Sequence, residues 1–581
     1  MLIIDNFGVY IRKLTRAKDG KLHHYWALVE SYRTERGPRQ RVVAWLGEMD
    51  ECGRLGVENA AEGGVGVQRK LFDDVKPEWV EVDINGVGVE NIKDFGGPWL
   101  GLELMRRLEL DRFFREHMPP GKERIGWAEM AKVLVLCRFC HPSSELHIAE
   151  HFYEKTALSD LLGIAPHRVN DDRLYRALDK LLPHKADLEK HLKDKVGALF
   201  KVNYDLYLYD VTSTYFEGQA KGNLWAKHGH SRDQRGDCKQ VCIGLVVTRD
   251  GFPLGYEIFA GNRADVTTVE EIIVVMEGRY GKANRIWVMD RGMASETNFD
   301  FLNKEGRRYI LGANRGQLKQ YESELLKEDW RVVHSGLEVK LVDGPDGKEV
   351  FILCRSKDRA EKEKAMHDRF EHRIEDALKQ MAEGCEKRRY KVKVIERRVG
   401  KILGKNSRGA GLFDVDVSEG ANGGAQISWI KKEKWRQWSE LSEGCYMLRS
   451  NIRDWSPEEL WKAYIQLTEA ENAFRIHKSD LSVRPVWHQK NERVQAHILV
   501  CFLAYVLWKT LGRLCHKAGL GDEARKVLWE FAQIKLTDVI LPTRNGTEIR
   551  LRRVQTPDTH QRILLQRLKL SLPRRFEKHN L

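Results

Sequence analysis

No uninterrupted apolar run in this sequence reaches the length that crosses a bilayer. The most apolar run, HILVCFLAYVLW at 497–508, falls short of the roughly 20 residues that a spanning helix needs. It is expected as a buried helix, and a membrane is not expected as a partner. The first residues, MLIIDNFGVYIRKL, lack the long apolar segment and small-residue cleavage site of a secretory leader, so a cytoplasmic, nucleoid-associated location is expected. Ten cysteines are scattered through 581 residues without a framework spacing. In a reducing compartment they read as small core residues, and no disulfide is needed. No internal repeat or low-complexity tract stands out.

What is present is a globular composition, 42% hydrophobic and 31% charged, in a chain long enough to divide into several domains. Lys and Arg number 98 against 85 Asp and Glu, a formal +13. Such a balance favours polyanionic partners, nucleic acid first among them, but it carries no sequence information. Motifs must decide.

The pattern divides the chain as follows. Residues 1–52 form a small β module, because 23–48 hold two β-rich runs around a Gly37-Pro38 turn signal. A loose Gly-rich linker covers 53–97. Between 98 and 200 apolar residues recur at three and four, as in DDRLYRALDKLL, which predicts an all-helical domain. This domain either grips DNA or packs for structural reasons alone. Short apolar strands separated by Gly turns mark 201–315 as the first part of an α/β, mixed-sheet core. Residues 316–455 interrupt it as a β-rich insertion with a highly charged helical stretch. The core resumes at 456–520, opened by a Ser456 cap and Pro457. Residues 521–581 are expected as a basic tail, either a phosphate-contacting arm or a solvated end.

Three carboxylates draw attention. YLYDVTSTYFEG brings Asp210 to the end of an apolar run, and RIWVMDRGM does the same for Asp290. Either alone is equally compatible with a capping role. In YIQLTEAENAFRIHK, Tyr464, Glu471 and Lys478 are seven apart and so share one helix face, which Arg475 joins. Taken alone, that stripe is a surface Glu–Arg pair worth a few tenths of a kcal/mol. Arg232, Arg235 and Lys239 in SRDQRGDCKQV form a basic loop that suits DNA or a solvated turn. Trp429, Trp435 and Trp438 suit stacking of an unpaired base or a local core. CRFCH at 137–141, followed by His147 and His151, matches haem and zinc spacings only nominally. Core cysteines are the better account.

Tyr464, Leu467, Glu471 and Lys478 are spaced as in the Tyr-Arg-Glu-Lys signature of the IS-four superfamily of insertion-sequence transposases, which this chain resembles over most of 200–315 and 455–505. Leu467 stands where the family has Arg, so that function is lost or supplied by a residue such as Arg475. The resemblance implies an RNase H-like core, with two Asp from strands and the Glu from a late helix beyond a β-rich insertion. It implies a DNA transposase that cuts insertion-sequence ends and joins them to target DNA. Two Mg²⁺ ions, replaceable by Mn²⁺, would be held by Asp210, Asp290 and Glu471. Three crowded carboxylates repel one another and make sense chiefly around hard cations. Lys478, Tyr464, Arg475, Arg232, Arg235 and Lys239 are the implied DNA contacts. The partners are double-stranded DNA, as terminal inverted repeats and target, and a second copy in a synaptic homodimer. The alternatives are a domesticated non-catalytic DNA-binding protein and a structure-specific nuclease of the same fold.

Overall fold

The computed structural model describes residues 9–18, 21–34, 37–47, 79–420 and 423–573. At the N-terminal end, β1 (Val9–Lys18), β2 (Lys21–Thr34) and β3 (Gly37–Gly47) form an antiparallel sheet in chain order. The pairing of β2 with β3 reaches Thr34 and Gly37, beside the Gly37-Pro38 signal. The first strand of the three was not announced by the sequence pattern.

β4 (Gly88–Asp94) leads into the helices α1 (Gly96–Arg107), α2 (Leu110–His117), α3 (Trp127–Cys140), α4 (Asp171–Leu181) and α5 (Lys185–Phe200). In α4, Leu174, Ala177, Leu178 and Leu181 are buried at helical intervals, and the Asn170 side chain accepts from the Arg173 amide as a cap. α3 has almost no polar face, since eleven of its residues are buried.

The central sheet starts with β5 (Leu206–Tyr215), β6 (Gln240–Val247) and β7 (Pro253–Ala260), followed by α6 (Val269–Tyr280), β8 (Ile286–Met289), α7 (Glu296–Lys304) and β9 (Arg308–Gly312). β5, β6 and β7 pair antiparallel, whereas β8 runs parallel to both β5 and β9. The spatial order β7-β6-β5-β8-β9 with these directions is an RNase H-like sheet. Helices α6 and α7 make the crossovers that parallel pairs require.

Beyond β9 the sheet grows further. β10 (Arg331–His334), β11 (Leu337–Asp343) and β12 (Val350–Ser356) precede α8 (Lys357–Lys387), α9 (Val392–Lys405), β13 (Phe413–Glu419), β14 (Ala425–Lys431), α10 (Glu433–Ser442) and β15 (Cys445–Ser450). The full order is β10-β11-β12-β15-β9-β8-β5-β6-β7, so the expected separate insertion at 316–455 needs correction. β12 and β15 are apolar runs, VFILC and CYMLRS, mostly buried. They satisfy their backbone groups by extending the free edge of β9 rather than a sheet of their own. α8, α9 and the β13–β14 pair build a core of their own, around Ile374, Leu378, Ile395 and Phe413.

The chain then forms α11 (Pro457–Ile465), α12 (Thr468–Ser479) and α13 (Asn491–Lys517). Ser456 and Glu459 close a reciprocal capping box on α11. α13 is 27 residues long and apolar enough to cross a membrane by length and composition, yet 83% of its most apolar window is buried inside the protein.

The expected tail and linker are also corrected. Residues 524–568 fold into α14 (Ala524–Ala532), β16 (Lys535–Pro542), β17 (Glu548–Val554) and α15 (Thr559–Leu568). β16 lies between β17 and β4, so residues 88–94 of the expected linker are a strand. Arg552, among the charges expected to contact phosphate or lie in solvent, is instead matched within the fold: it donates to Asp538 Oδ1 and Oδ2, each at 2.7 Å, and is paired with Asp160. The rest of the expected linker, up to residue 78, lies outside the described residues.

Candidate active site

Side chains along β5 alternate between the two faces of the sheet. Tyr207, Tyr209 and Val211 pack into the cluster that includes Ile272 of α6 and Phe299 of α7, while Leu206 and Leu208 join the opposite core. Asp210 therefore shares the face of Leu208 and Thr212. On β8, Val288 belongs to that same core and Met289 to the other, which sets Asp290 on the face of Asp210. The parallel register pairs Tyr209 with Met289, so the two aspartates are the next residues of adjacent strands, side by side. This face is covered by α12, whose Ala470, Ala473, Phe474 and His477 are buried.

Burial, helped by the Asp290 and Asp265 charges and opposed by the Val211 amide and Arg232, pushes the Asp210 carboxyl up to about 6. That amide donates to Asp210 Oδ1 at 2.7 Å. Tyr464, on α11, places its hydroxyl 3.5 Å from Asp290 Oδ1. Burial, followed by the Asp290 charge, raises the Tyr464 phenol, so it stays a neutral donor. Two carboxylates that repel one another across neighbouring strands, one of them partly buried, are a hard-oxygen donor pair suited to a divalent cation.

Glu471 is not grouped with this pair. It is exposed on α12, and no group of three His, Cys, Asp or Glu among the described residues is disposed to hold an ion. The carboxylate that does accompany the pair is Asp265, which forms an ion pair with Arg232 and acts on Asp210 through space. Nothing in GNRADVTT distinguished it in the sequence.

The basic residues divide into two sets. Arg232, Arg475 and Lys478 line one cavity of about 460 Å³, together with Asp233 and Arg484. Lys478 Nζ donates to Asp233 Oδ1 at 2.9 Å, and Arg484 donates to the same oxygen. Arg235 is engaged locally instead: it forms an ion pair with Asp237 at 3.0 Å and lies over the Tyr215 ring. Lys239 donates to the Gln219 carbonyl at 2.9 Å. Asp233 and Arg484 escaped the sequence reading. Asp233 is one acid in a charged loop, and Arg484 lies beyond the helix stripe that fixed attention on Lys478.

Trp429 and Trp435 pack against the core of α8 and α9, and Trp438 against Phe351 and Leu353 of the extended sheet; all three are partly buried. Cys137 is buried in α3, Cys140 lies at its end half-buried, and the nine described cysteines are free.

The comparisons with known proteins fall on these elements. A model described as the transposase DDE domain matches residues 203–507, more than half of the chain and all of β5 through β9 with α11, α12 and most of α13. The N-terminal domain of IS1634 family transposases matches 11–63, and a domain of unknown function (DUF4277) matches 100–193. No curated protein matches the chain. Among solved structures, a piggyBac transposase synaptic complex with hairpin DNA aligns at 8% identity and a TM-score of 0.36, covering 78% of this chain and 82% of its own.

Proposed function

The chain belongs to the transposases that carry a DDE domain, and on that premise we propose that Asp210, Asp290 and Glu471 form the catalytic set that cuts insertion-sequence ends and joins them to target DNA. What carries this reading is the placement of Asp210 and Asp290 at equivalent positions of β5 and β8, on the face that α12 covers. Domains of this family use divalent metal ions. Here Asp210 and Asp290 would hold them, with Glu471 supplied from α12. When bound, two Mg²⁺ ions, or Mn²⁺ in their place, activate the attacking oxygen and stabilise the departing one.

Water displaces the 3′ oxygen from phosphorus at each element end, and the freed 3′-hydroxyl then displaces a 3′ oxygen in the target. Each step inverts phosphorus. The chain's own part is to orient and to grip. Tyr464 steadies the Asp290 carboxylate, Arg232 balances charge beside Asp210, and Lys478 and Arg475 meet phosphates. Arg235 and Lys239 add a basic rim, and the helices of 98–200 hold flanking duplex. Bringing two ends together calls for a homodimer on DNA. The Tyr464, Glu471 and Lys478 spacing supports a place in the IS-four superfamily.

The test incubates the protein with Mg²⁺, a supercoiled plasmid and a duplex taken from the DNA bordering its coding sequence. Wild-type protein should release 3′-hydroxyl ends and insert them. Asp210→Asn, Asp290→Asn and Glu471→Gln should each lose at least about a thousandfold in rate. Retained activity in any of the three would remove that residue from the catalytic set, and cutting without joining would make the protein a nuclease.

A further inference from the structure

The cavity beside the carboxylates is lined by four cations, Arg232, Arg475, Lys478 and Arg484. Two acids partner three of them: Asp265 takes Arg232, while Asp233 takes both Lys478 and Arg484. Arg475 hydrogen-bonds Asn472 on its own helix and has no carboxylate partner among the described residues. The cavity thus keeps a nominal excess of two positive charges.

Asp233 is the organiser. Its side chain is only 5% exposed, and both cations share Oδ1 while Oδ2 is buried without a hydrogen-bond partner. An ammonium and a guanidinium would repel at this separation. One buried carboxylate between them removes the repulsion and fixes both heads. The guanidinium still has N–H groups to offer on its outer edge, and its side chain remains 32% exposed.

The backbone that carries Arg484 is tied on both sides. Before it, Val483 donates from its amide to the His477 carbonyl at 2.9 Å and accepts from Thr214 Oγ1 at 3.3 Å. After it, Val486 exchanges hydrogen bonds with Tyr215 and Glu217 at the end of β5. The cation therefore stands in a fixed place relative to the strand that carries Asp210.

We propose that this cavity is a phosphodiester-binding pocket in which Arg484 and Lys478, aimed by Asp233, hold a backbone phosphate next to the one presented to Asp210 and Asp290. The proposal rests on the DNA-cleaving reading above. Arg484 is a DNA-contacting residue, and Asp233 is a positioning residue that touches no DNA.

Binding is measured in an Asp210→Asn background, so that it does not depend on cleavage, with a fluorescent duplex from the DNA bordering the coding sequence over a range of salt. Arg484→Gln should weaken binding by about tenfold and lower the slope of log affinity against log salt by about 1. Arg484→Lys should restore the slope. Arg544→Gln, on the distant β16–β17 turn, should change neither. Asp233→Asn keeps every cation, so its salt slope should match that of the unsubstituted protein, while with Asp210 intact it should lower kcat for cleavage about tenfold. An unchanged affinity and slope for Arg484→Gln overturns the pocket, and an unchanged kcat for Asp233→Asn overturns the positioning role. Wild-type protein that binds through Arg484 yet does not cleave sinks the catalytic reading and leaves the pocket standing.

Discussion

Arg138 ties the helical region to the 481–482 segment of the catalytic core, and replacing it with Met should destabilise the protein by about 2 kcal/mol. It lies on α3 at 7% exposure. It donates to the carbonyls of Leu481, Ser482 and Ser143 at 3.3, 3.1 and 3.3 Å, with a further contact to His497 Nδ1 at 3.5 Å. Met fills much of the same volume, so little cavity opens. The buried Leu481 carbonyl and the partly buried Ser482 and Ser143 carbonyls lose this donor, at about 1 to 3 kcal/mol each where no other group replaces it. The long distances place each near the lower bound, and release of a buried guanidinium offsets part of the sum. Urea unfolding followed by tryptophan fluorescence reads the result as a midpoint lowered by about 0.7 M, given a slope of ~3 kcal/mol per molar. In the folded protein the 481–488 segment loses its rear support, so duplex affinity should fall together with stability. A loss under about 0.5 kcal/mol, the range of ordinary surface changes, would show that these carbonyls find other donors and would refute the latch.

Three further outcomes are expected. Burial lowers His477 to about 4, and burial with Arg138 and His488 lowers His497 to about 3, against the opposing charge of Glu145. The unfolded chain takes up these protons first, near pH 6.5, so their stability is complete above that pH. It is lost toward pH 4 at about 1.4 kcal/mol per unit for each histidine; Asp210, with its raised carboxyl, acts in the opposite sense. Urea midpoints at pH 7 and pH 5 should therefore converge in a His477→Phe, His497→Phe double variant relative to wild type, and an identical pH response in both would contradict the assignment. A Cβ on Gly96 would lie 1.9 Å from the Phe531 carbonyl oxygen, so Gly96→Ala should cost about 1 to 3 kcal/mol and expose residues 524–573 to limited proteolysis; a wild-type digestion pattern would show the contact to be slack. Tyr464→Phe removes the hydroxyl beside Asp290 and should lower cleavage about tenfold with little change in duplex affinity, whereas a loss of affinity instead would return Tyr464 to the phosphate contacts.

The core was readable because its physics is local. An apolar run ending in Asp looks the same in sequence and in space, and Glu471 and Lys478 lie two turns apart on α12 as their spacing predicts, whereas Tyr464 falls on α11, before the turn at 466–467, so the single helix face expected for all three is broken there. Pairings across long separations left no such mark. β12 and β15 join the sheet edge across a charged helix of 31 residues, and that helix hid their common membership. Arg552 meets Asp160 only because β16, β17 and β4 share a sheet, so in the sequence its charge read as a phosphate contact or a solvated end. Asp265 and Asp233 are ordinary acids until the fold sets one beside Asp210 and the other beneath Lys478.

The segment from Leu481 to His488 joins these parts. It leaves α12 directly after Lys478, runs beside the end of β5, and enters α13. Arg138 of α3 holds its first carbonyls, and Glu145 Oε1 lies 3.3 Å from His488 Nε2 at its far end. Burial alone would raise the Glu145 carboxyl, but the His488 contact prevails and takes it down to about 2, so this carboxylate stays ionised throughout the range in which His477 and His497 titrate. Arg484 projects from the middle toward Asp233. A displacement of α3 relative to the core would therefore act on Arg484 before it reached the strand-borne aspartates, whose places are set by the β5–β8 register. Helical-region variants such as Arg138→Met should accordingly weaken the grip on DNA while leaving the Asp210–Asp290 pair intact, a separation that duplex affinity and divalent-ion affinity, measured on the same variant, would read independently.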